Sequence, residues 1–202
     1  LGLNDGVKYS SPVQIHGGGT DWSNIGGSSY QAIAVKTDGT LWMWGTNGPG
    51  ALGQNDRTSR SSPIQVGSDN TWAVGVIPNS GMTLAAKIDG TLWGWGNNDY
   101  GQLGQNNVNN GHSSPVQIPG SNWAYASVSS DTFILATKTD GTLWGWGNND
   151  EGQLAQNDAG TTGRSSPTQI PGTTWDYSDF NKISCEFYSC GAIKTDGTLW
   201  MW

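Results

Sequence analysis

The chain of 202 residues carries 9 Lys and Arg against 16 Asp and Glu, a formal net charge of −7. This balance excludes a surface that tracks nucleic-acid phosphates, because such affinity comes from clustered positive charge, and it disfavours electrostatic docking on anionic membranes. No apolar run approaches the roughly 20 residues that span a bilayer. The 31 Gly and 12 Trp predict a turn-rich chain whose aromatic residues supply the burial that disordered chains lack.

Two unrelated markers recur along the chain with almost the same period. The string DGTLW begins at Asp38, Asp89, Asp140 and Asp196, in steps of 51, 51 and 56 residues. The string SSP ends at Pro12, Pro63, Pro115 and Pro167, in steps of 51, 52 and 52 residues. A fixed period of this length indicates a repeat array. We expect about four repeats in one array over 1–202, with approximate bounds 1–51, 52–102, 103–153 and 154–202.

Each repeat predicts four strands, which residues 114–147 illustrate. A short strand opens with Pro115, which is allowed at a strand start or edge, and an alternating strand follows in WAYASV. Two further strands, FILATK and TLWGWG, flank an Asp-Gly pair, the strongest short hairpin signal. Four strands per unit of about 50 residues are typical of a propeller blade. The predicted fold is an all-β propeller of four-stranded antiparallel blades, with helix nearly absent.

The Trp-x-Trp pair behind each Asp-Gly turn could be a sugar platform, a light-absorbing cluster or core. Side chains alternate between the two faces of a strand, so both rings of a pair point the same way. Two large rings on one face suit packing between adjacent blades, which cannot bury their faces alone. We therefore expect a structural role for Trp42, Trp44, Trp93, Trp95, Trp144, Trp146, Trp200 and Trp202.

The loop after each pair carries a family signature. The runs WGTNGPGALGQN at 44–55, WGNNDYGQLGQN at 95–106 and WGNNDEGQLAQN at 146–157 resemble the repeat of the regulator of chromosome condensation family. Ala51 and Ala155 depart from that family's Gln and Gly. The resemblance covers essentially the whole chain and implies a β-propeller, usually seven-bladed. It also implies a scaffold that presents loops to a partner, in roles as different as nucleotide exchange on a small GTPase, ultraviolet-B perception and β-lactamase inhibition.

The start and end of the sequence leave two arrangements open. LGLND at 1–5 aligns with LGQND at 52–56, and the sequence stops at LWMW, so the N-terminal strand could complete the last blade of a closed four-bladed ring. The alternative is an excerpt of a larger, seven-bladed ring. We expect the excerpt.

The polar residues of the repeats have structural explanations. Asp before Gly has a sufficient reason in hairpin geometry, so we expect no carboxylate ring for cations at the four hairpins. The lysines two residues earlier predict weak exposed pairs with neighbouring acids. The NNDYG and NNDEG segments lack the spacing of a calcium loop, and we expect hydrogen bonds to the loop backbone from Asn98, Gln102, Asn149 and Gln153.

The sequence predicts no enzyme, cofactor or metal site. His16 and His112 lie beside glycines without a repeated Ser or Cys partner, so no base is paired with a nucleophile. Cys185 and Cys190 flank a turn in one repeat. They could form a cross-strand disulfide, which would imply an oxidising setting, or they could be two unrelated small core residues.

Recognition is expected at two sets of loops that share one face and vary most among the repeats. The first set is 26–31, 77–82, 129–132 and 184–189, and the second set is 52–61, 103–113 and 154–165. The candidate partner-binding residues are Tyr30, Arg57, Arg60, His112, Arg164, Phe187 and Tyr188. The predicted function is a non-enzymatic interaction or structural module that binds protein, in a bacterial surface, secreted or virion protein. A carbohydrate-binding propeller with exposed aromatic rings is the alternative, and regulation of a small GTPase is a third hypothesis.

Overall fold

The computed structural model describes residues 2–7, 9–15, 19–73, 77–78, 81–129, 132–158 and 163–202. In those residues the chain forms antiparallel strands, with a single 3₁₀ turn at Phe180–Lys182 as the one helical element. The described residues contain no helix with the length and hydropathy of a membrane span. The period-2 patterns and the Asp-Gly turns therefore produce the predicted all-β chain.

The strands form four consecutive sheets in chain order, which we call blades 1 to 4. Blade 1 contains β1 (Trp22–Gly27), β2 (Gln31–Lys36), β3 (Leu41–Gly45) and β4 (Arg60–Gln65). Blade 2 contains β5 (Ile77–Pro78), β6 (Met82–Ala86), β7 (Leu92–Asn98) and β8 (Asn109–Gln117). Blade 3 contains β9 (Trp123–Ser129), β10 (Phe133–Lys138), β11 (Leu143–Gly147) and β12 (Arg164–Ile170). Blade 4 contains β13 (Ile183–Glu186), β14 (Ser189–Ile193) and β15 (Leu199–Met201).

Every blade is an antiparallel meander whose strands pair in sequence order. The four strands predicted over residues 114–147 are confirmed as the C-terminal part of β8 and as β9, β10 and β11. In blade 4, no strand pairing joins residues 9–15 to β15 within the part of the chain that the structure describes. The closed ring and the larger ring both stay predictions.

The Asp-Gly turns join the second and third strands of each blade, which in blade 3 are the FILATK and TLWGWG strands predicted to flank the turn. In blade 1, Gly39 has φ +83°, which glycine adopts without steric cost. Asp38 Oδ1 accepts hydrogen bonds from the Thr40 amide at 2.9 Å and the Thr40 hydroxyl at 2.7 Å. These bonds hold the pKa of Asp38 below its ordinary value. The same two bonds recur at Asp89, Asp140 and Asp196.

Blades 2 to 4 each pack their tryptophan-bearing face on the preceding blade. Trp95 of blade 2 is fully buried against Ile33, Leu41 and Met43 of blade 1. Its indole Nε1–H donates to the Ala51 carbonyl of the preceding loop at 2.8 Å. The same inter-blade bond joins Trp146 to Gln102 and Trp202 to Gln153, both at 2.8 Å. The core is thus a row of similar blade interfaces.

Candidate functional site

The turns between the first two strands of a blade lie beside the loops between its last two strands. In blade 1, the Thr46 amide donates to the Tyr30 carbonyl at 3.0 Å. In blade 3, the Asn148 amide donates to the Thr132 carbonyl at 2.9 Å. We call this end of the blades the loop face, and the end that carries the Asp-Gly turns the hairpin face. The prediction that the two variable sets of loops share a face is confirmed.

A buried asparagine holds each long loop of the loop face. In blade 2, Asn98 Oδ1 accepts from the Leu103 amide at 2.9 Å, and Asn98 Nδ2 donates to the Asn107 carbonyl at 3.2 Å. Asn47 and Asn149 make the equivalent bonds in blades 1 and 3. The predicted backbone bonds of Asn98, Gln102, Asn149 and Gln153 are confirmed.

The long loops of blades 1 and 2 are also bonded to the last strand of the next blade, β8 or β12. The Asn55 amide donates to the Ser113 carbonyl, and the Asn106 amide donates to the Ser165 carbonyl, each at 2.7 Å. The Arg57 guanidinium adds a bond to the Asn110 carbonyl at 3.2 Å. The loops of blades 1 to 3 therefore form one connected surface.

The arginines among the candidates for partner binding contact mainly other residues of the loop face. Arg60 pairs with Asp56 at 2.6 Å, and Arg164 pairs with Asp158, in both cases within one loop. The Thr58 amide and the Arg60 side chain hold the pKa of Asp56 below its ordinary value. His112 lies in β8 opposite Gly96. These residues shape the loop face, and a direct role in partner binding stays a prediction for each of them.

The aromatic candidates are exposed side chains of the loop face. Tyr30 is 64% exposed, Phe187 is 60% exposed and Tyr188 is 66% exposed. Phe187 and Tyr188 form the two-residue turn between β13 and β14, with ring centroids 6.3 Å apart. Phe187 has φ +45°, a left-handed conformation that bulky residues rarely adopt. The tip therefore carries two exposed rings on a strained turn.

A second constellation, which the sequence did not predict, lies near the hairpin face. In each blade a lysine Nζ lies over two tryptophan rings, at 4.1–5.0 Å from their centroids. The clusters are Trp22–Lys36–Trp42, Trp72–Lys87–Trp93, Trp123–Lys138–Trp144 and Trp175–Lys194–Trp200. Cation–π attraction contributes about 0.5–2 kcal/mol per contact, more as the cation loses water.

Among the described residues, the predicted weak pairs between these lysines and neighbouring acids form in blades 1 and 2. Lys36 lies 3.3 Å from Asp21, and Lys87 pairs with Asp69. The hydrogen bond from Lys87, with further bonds from Thr71, lowers the pKa of Asp69 to about 2. The prediction is wrong for Lys138 and Lys194, since no carboxylate oxygen of the described residues lies within 4.0 Å of either ammonium.

The structural prediction for the Trp-x-Trp pairs agrees with the packing. In blade 1, Trp22 contacts both rings of the pair, at centroid distances of 6.2 Å to Trp42 and 6.4 Å to Trp44. The second ring of each pair in blades 1 to 3 is buried, and the first is half-buried. Of the 12 tryptophans, all within the described residues, Trp200 alone is classed as exposed, at 50%.

The two cysteines lie opposite each other in β13 and β14. Both are free thiols, and both belong to the core between blades 3 and 4. Burial raises the pKa of the Cys185 thiol well above its ordinary value. The backbone of Cys190 bonds to that of Trp202, which follows β15, so Cys185 and Cys190 form a non-hydrogen-bonded pair, the closer type of cross-strand pair. The disulfide stays a prediction.

The described residues contain no group of three or more His, Cys, Asp or Glu side chains that could hold a metal ion. His16 lies outside the described residues. The arrangement that the structure does show is a row of blades with a rigid, hydrogen-bonded loop face. This architecture defines a propeller-type scaffold, in which variable loops are carried on a constant framework.

The chain belongs to the Regulator of chromosome condensation (RCC1) repeat family. The family model matches residues 38–76, 89–134 and 140–185. Among curated relatives, the chain is 30% identical to the "Protein RCC2 homolog" of Danio rerio over 137 residues, which are 67% of this chain and 28% of that protein. It is also 30% identical to the "Ultraviolet-B receptor UVR8" of Arabidopsis thaliana over 158 residues, which are 76% of this chain and 36% of that protein. The chain thus spans about a third or less of these relatives.

Solved structures show the same fold. Human WBSCR16 superposes with a TM-score of 0.75 at 20% identity, over 90% of this chain and 46% of that chain. Prp20p of Saccharomyces cerevisiae superposes with a TM-score of 0.70 at 20% identity, over 88% of this chain and 43% of that chain. Prp20p has binding properties toward Gsp1p and histones. The resemblance to the chromosome condensation repeat family is confirmed, and proteins of this family act as protein-interaction modules.

Proposed function

We propose that this chain is a non-enzymatic protein-interaction module whose loop face binds a protein partner. The observation that carries the proposal is the turn at Phe187 and Tyr188, where two aromatic rings are 60% and 66% exposed on a backbone with φ +45° at Phe187. Burying a partner surface on such rings gains apolar contact with little loss of side-chain entropy. A strained conformation of a bulky residue is a reason to look for a function at that site.

The rigidity of the loop face supports the same proposal. The long loops are held by the buried asparagines and by bonds between blades, so little conformational entropy remains to be lost on binding. Tyr30 offers a second exposed aromatic anchor on this face. The Thr46 amide donates to the Tyr30 carbonyl and so holds Tyr30 beside the start of a long loop. The contact surface therefore includes both the short turn and the long loop of blade 1.

The distribution of tryptophans supports a protein partner over a carbohydrate. A sugar platform requires exposed rings, and only Trp200 is exposed, at 50%. The other tryptophans are wholly or half buried, in cores between blades or beside the lysines. A bacterial surface or virion setting, and regulation of a small GTPase, stay hypotheses for the whole protein.

The experiment has two stages. A photoreactive phenylalanine analogue at position 188 is crosslinked in an extract of the source cells, with the same analogue at position 88 as control. Ile88 is 75% exposed and adjoins an Asp-Gly turn of the hairpin face, so it samples the opposite surface. The partner found only with position 188 is then purified and its affinity measured.

We expect the double variant Phe187→Ser with Tyr188→Ser to weaken that affinity about tenfold or more, because truncating a central aromatic anchor costs over about 1.4 kcal/mol. The Ile88→Ser variant should bind with unchanged affinity. Equal affinity of the double variant and the parent chain would refute the loop-face proposal.

A further inference from the structure

The clusters near the hairpin face differ in how their lysine is neutralised. In blade 2, the Lys87 ammonium lies 4.9 Å and 4.1 Å from the centroids of Trp72 and Trp93, and it pairs with the Asp69 carboxylate. This cluster shows that an ammonium between two tryptophan rings can also take a carboxylate. The low pKa of Asp69, about 2, agrees with a carboxylate that is well bound there.

The same position in blade 3 lacks the carboxylate for a reason that the sequence shows. Asp69 stands three residues before Trp72, and the residue three before Trp123 is Gly120. A Cβ placed on Gly120 would be 3.2 Å from Lys138 Nζ, so the bare side of this glycine faces the ammonium. Where blade 2 supplies an acid, blade 3 therefore supplies no side chain.

This position is part of a groove between blades 2 and 3. The groove has a volume of about 320 Å³ and is lined by Gly120, Trp123, Lys138 and Trp144, with Asn106 from the long loop of blade 2. The Lys138 side chain is half-buried, so its ammonium remains open to the groove while its stem is packed. A small planar anion fits this volume.

The electrostatics of the groove favour a carboxylate. Lys138 Nζ lies 4.5 Å from the centroids of both Trp123 and Trp144, and ring faces attract a cation without accepting all of its N–H donors. Asp140 also interacts electrostatically with Lys138, but its Oδ1 already accepts hydrogen bonds from the amide and the hydroxyl of Thr142. The net charge of −7 repels an anion only weakly at this site, because charges farther away than about 8 Å are largely screened at physiological ionic strength.

We propose that Lys138, held between Trp123 and Trp144, binds a carboxylate group from outside the chain in the place that corresponds to Asp69 beside Lys87. Blade 4 repeats the arrangement, since a Cβ on Gly172 would be 3.7 Å from Lys194 Nζ. The site lies near the hairpin face and is independent of the partner proposed for the loop face.

The indole of Trp123 provides the reporter for a binding experiment. Its Nε1–H is buried and has no acceptor among the described residues, so its proton resonance responds to charge placed beside Lys138. The probes are sodium acetate and a glutamate blocked at both ends, each titrated at constant ionic strength maintained with sodium chloride. The neutral blocked glutamine is the matched control probe.

We expect a saturable shift of the Trp123 indole resonance with both carboxylates and none with the glutamine. The shift should be lost in Lys138→Met, which keeps the packed stem, and retained in Lys87→Met, whose lysine is already paired. Saturation by acetate alone would identify small free acids as the ligands, and saturation by both probes would include acidic side chains. A shift that does not saturate, or that persists in Lys138→Met, would overturn the proposal.

A second variant covers the case in which Lys138→Met fails to fold. Residues 119–122 (PGSN) are replaced by GSDNT, the blade 2 sequence at 67–71, which keeps Lys138 and supplies an internal aspartate. We expect this graft to fold and to abolish the acetate shift, because the new carboxylate fills the site. A folded graft that still binds acetate with the parent affinity would contradict the proposed location.

Discussion

Asn47, Asn98 and Asn149 are fully buried although each carries a polar amide. Their burial is tolerated because the amide oxygen and nitrogen both find partners in the long loop. Most of the loop, about ten residues long, has no strand pairing, and the single Asn side chain bonds to two separate points of its backbone and so holds it closed. This accounts for the fixed place of Asn after each Trp-Gly pair in the first three repeats.

Replacing Asn98 with alanine should lower the free energy of unfolding by about 2–4 kcal/mol. The change leaves the Leu103 amide and the Asn107 carbonyl without their partners, and each unsatisfied buried group costs about 1–3 kcal/mol. Urea denaturation measures the difference. The control is Asn97→Ala, one residue earlier, where the side chain accepts only an exposed bond from the Asp99 amide and the cost should stay below about 1 kcal/mol. Equal costs at the two positions would contradict the role of Asn98.

At the scale of the strand, the third strand of blades 1 to 3 ends at a glycine with positive φ: Gly45, Gly96 or Gly147. Gly96 ends the regular part of β7 with φ +98°, and a Cβ there would be 2.3 Å from the Gly81 carbonyl oxygen. β7 shifts register against β8 on both sides of this residue. The Trp-Gly step therefore turns the chain out of the sheet and into the long loop.

The Gly96→Ala variant should lose about 3 kcal/mol or more of unfolding free energy, because it combines backbone strain with a clash against main-chain atoms. Gly67→Ala is the matched control, since Gly67 has φ +60° and nothing within 4 Å of the added Cβ. It should cost only the left-handed strain of about 1–2 kcal/mol. Thermal and urea denaturation of both variants compare the two costs, and similar losses would show that the contact with Gly81 is not limiting.

The strands were predictable from the sequence because their signals are local. Asp140 with Gly141 fixes the β10–β11 hairpin, and the alternation around Trp144 fixes which residues face the core. The exposed aromatic tip at Phe187 was also predictable, as a variable turn. The pairing of Arg164 with Asp158, and the placement of Lys138 over two rings, were not. The first contact depends on the path of a loop, and the second depends on the register and side-chain rotamers of three adjacent strands, which the spacing of residues does not encode.

Over the whole molecule, stability comes from contacts between neighbouring blades that repeat with little change. The bond from the second tryptophan of a pair to the preceding loop occurs at three interfaces, and each of these rings also lies in the apolar core that the two blades share. In such arrays the unfolding free energy is approximately a sum of the terms within repeats and between neighbours. In blades 2 and 3 the second ring of the Trp-x-Trp pair is fully buried between blades and bonds to the preceding blade, whereas the first ring is half-buried at the edge of the same core and donates within its own blade.

The pair in blade 3 allows this division to be tested within one strand. Trp146 is fully buried and donates to the Gln102 carbonyl of blade 2, so Trp146→Phe should cost about 2–4 kcal/mol through a cavity and a lost inter-blade bond. Trp144 is half-buried, and its indole donates to the Thr142 hydroxyl of its own blade, so Trp144→Phe should cost about 1 kcal/mol or less. Urea denaturation followed by circular dichroism gives both values. If the two variants lost equal stability, the inter-blade role of the second tryptophan would be refuted, because the two substitutions remove the same atoms from the same strand.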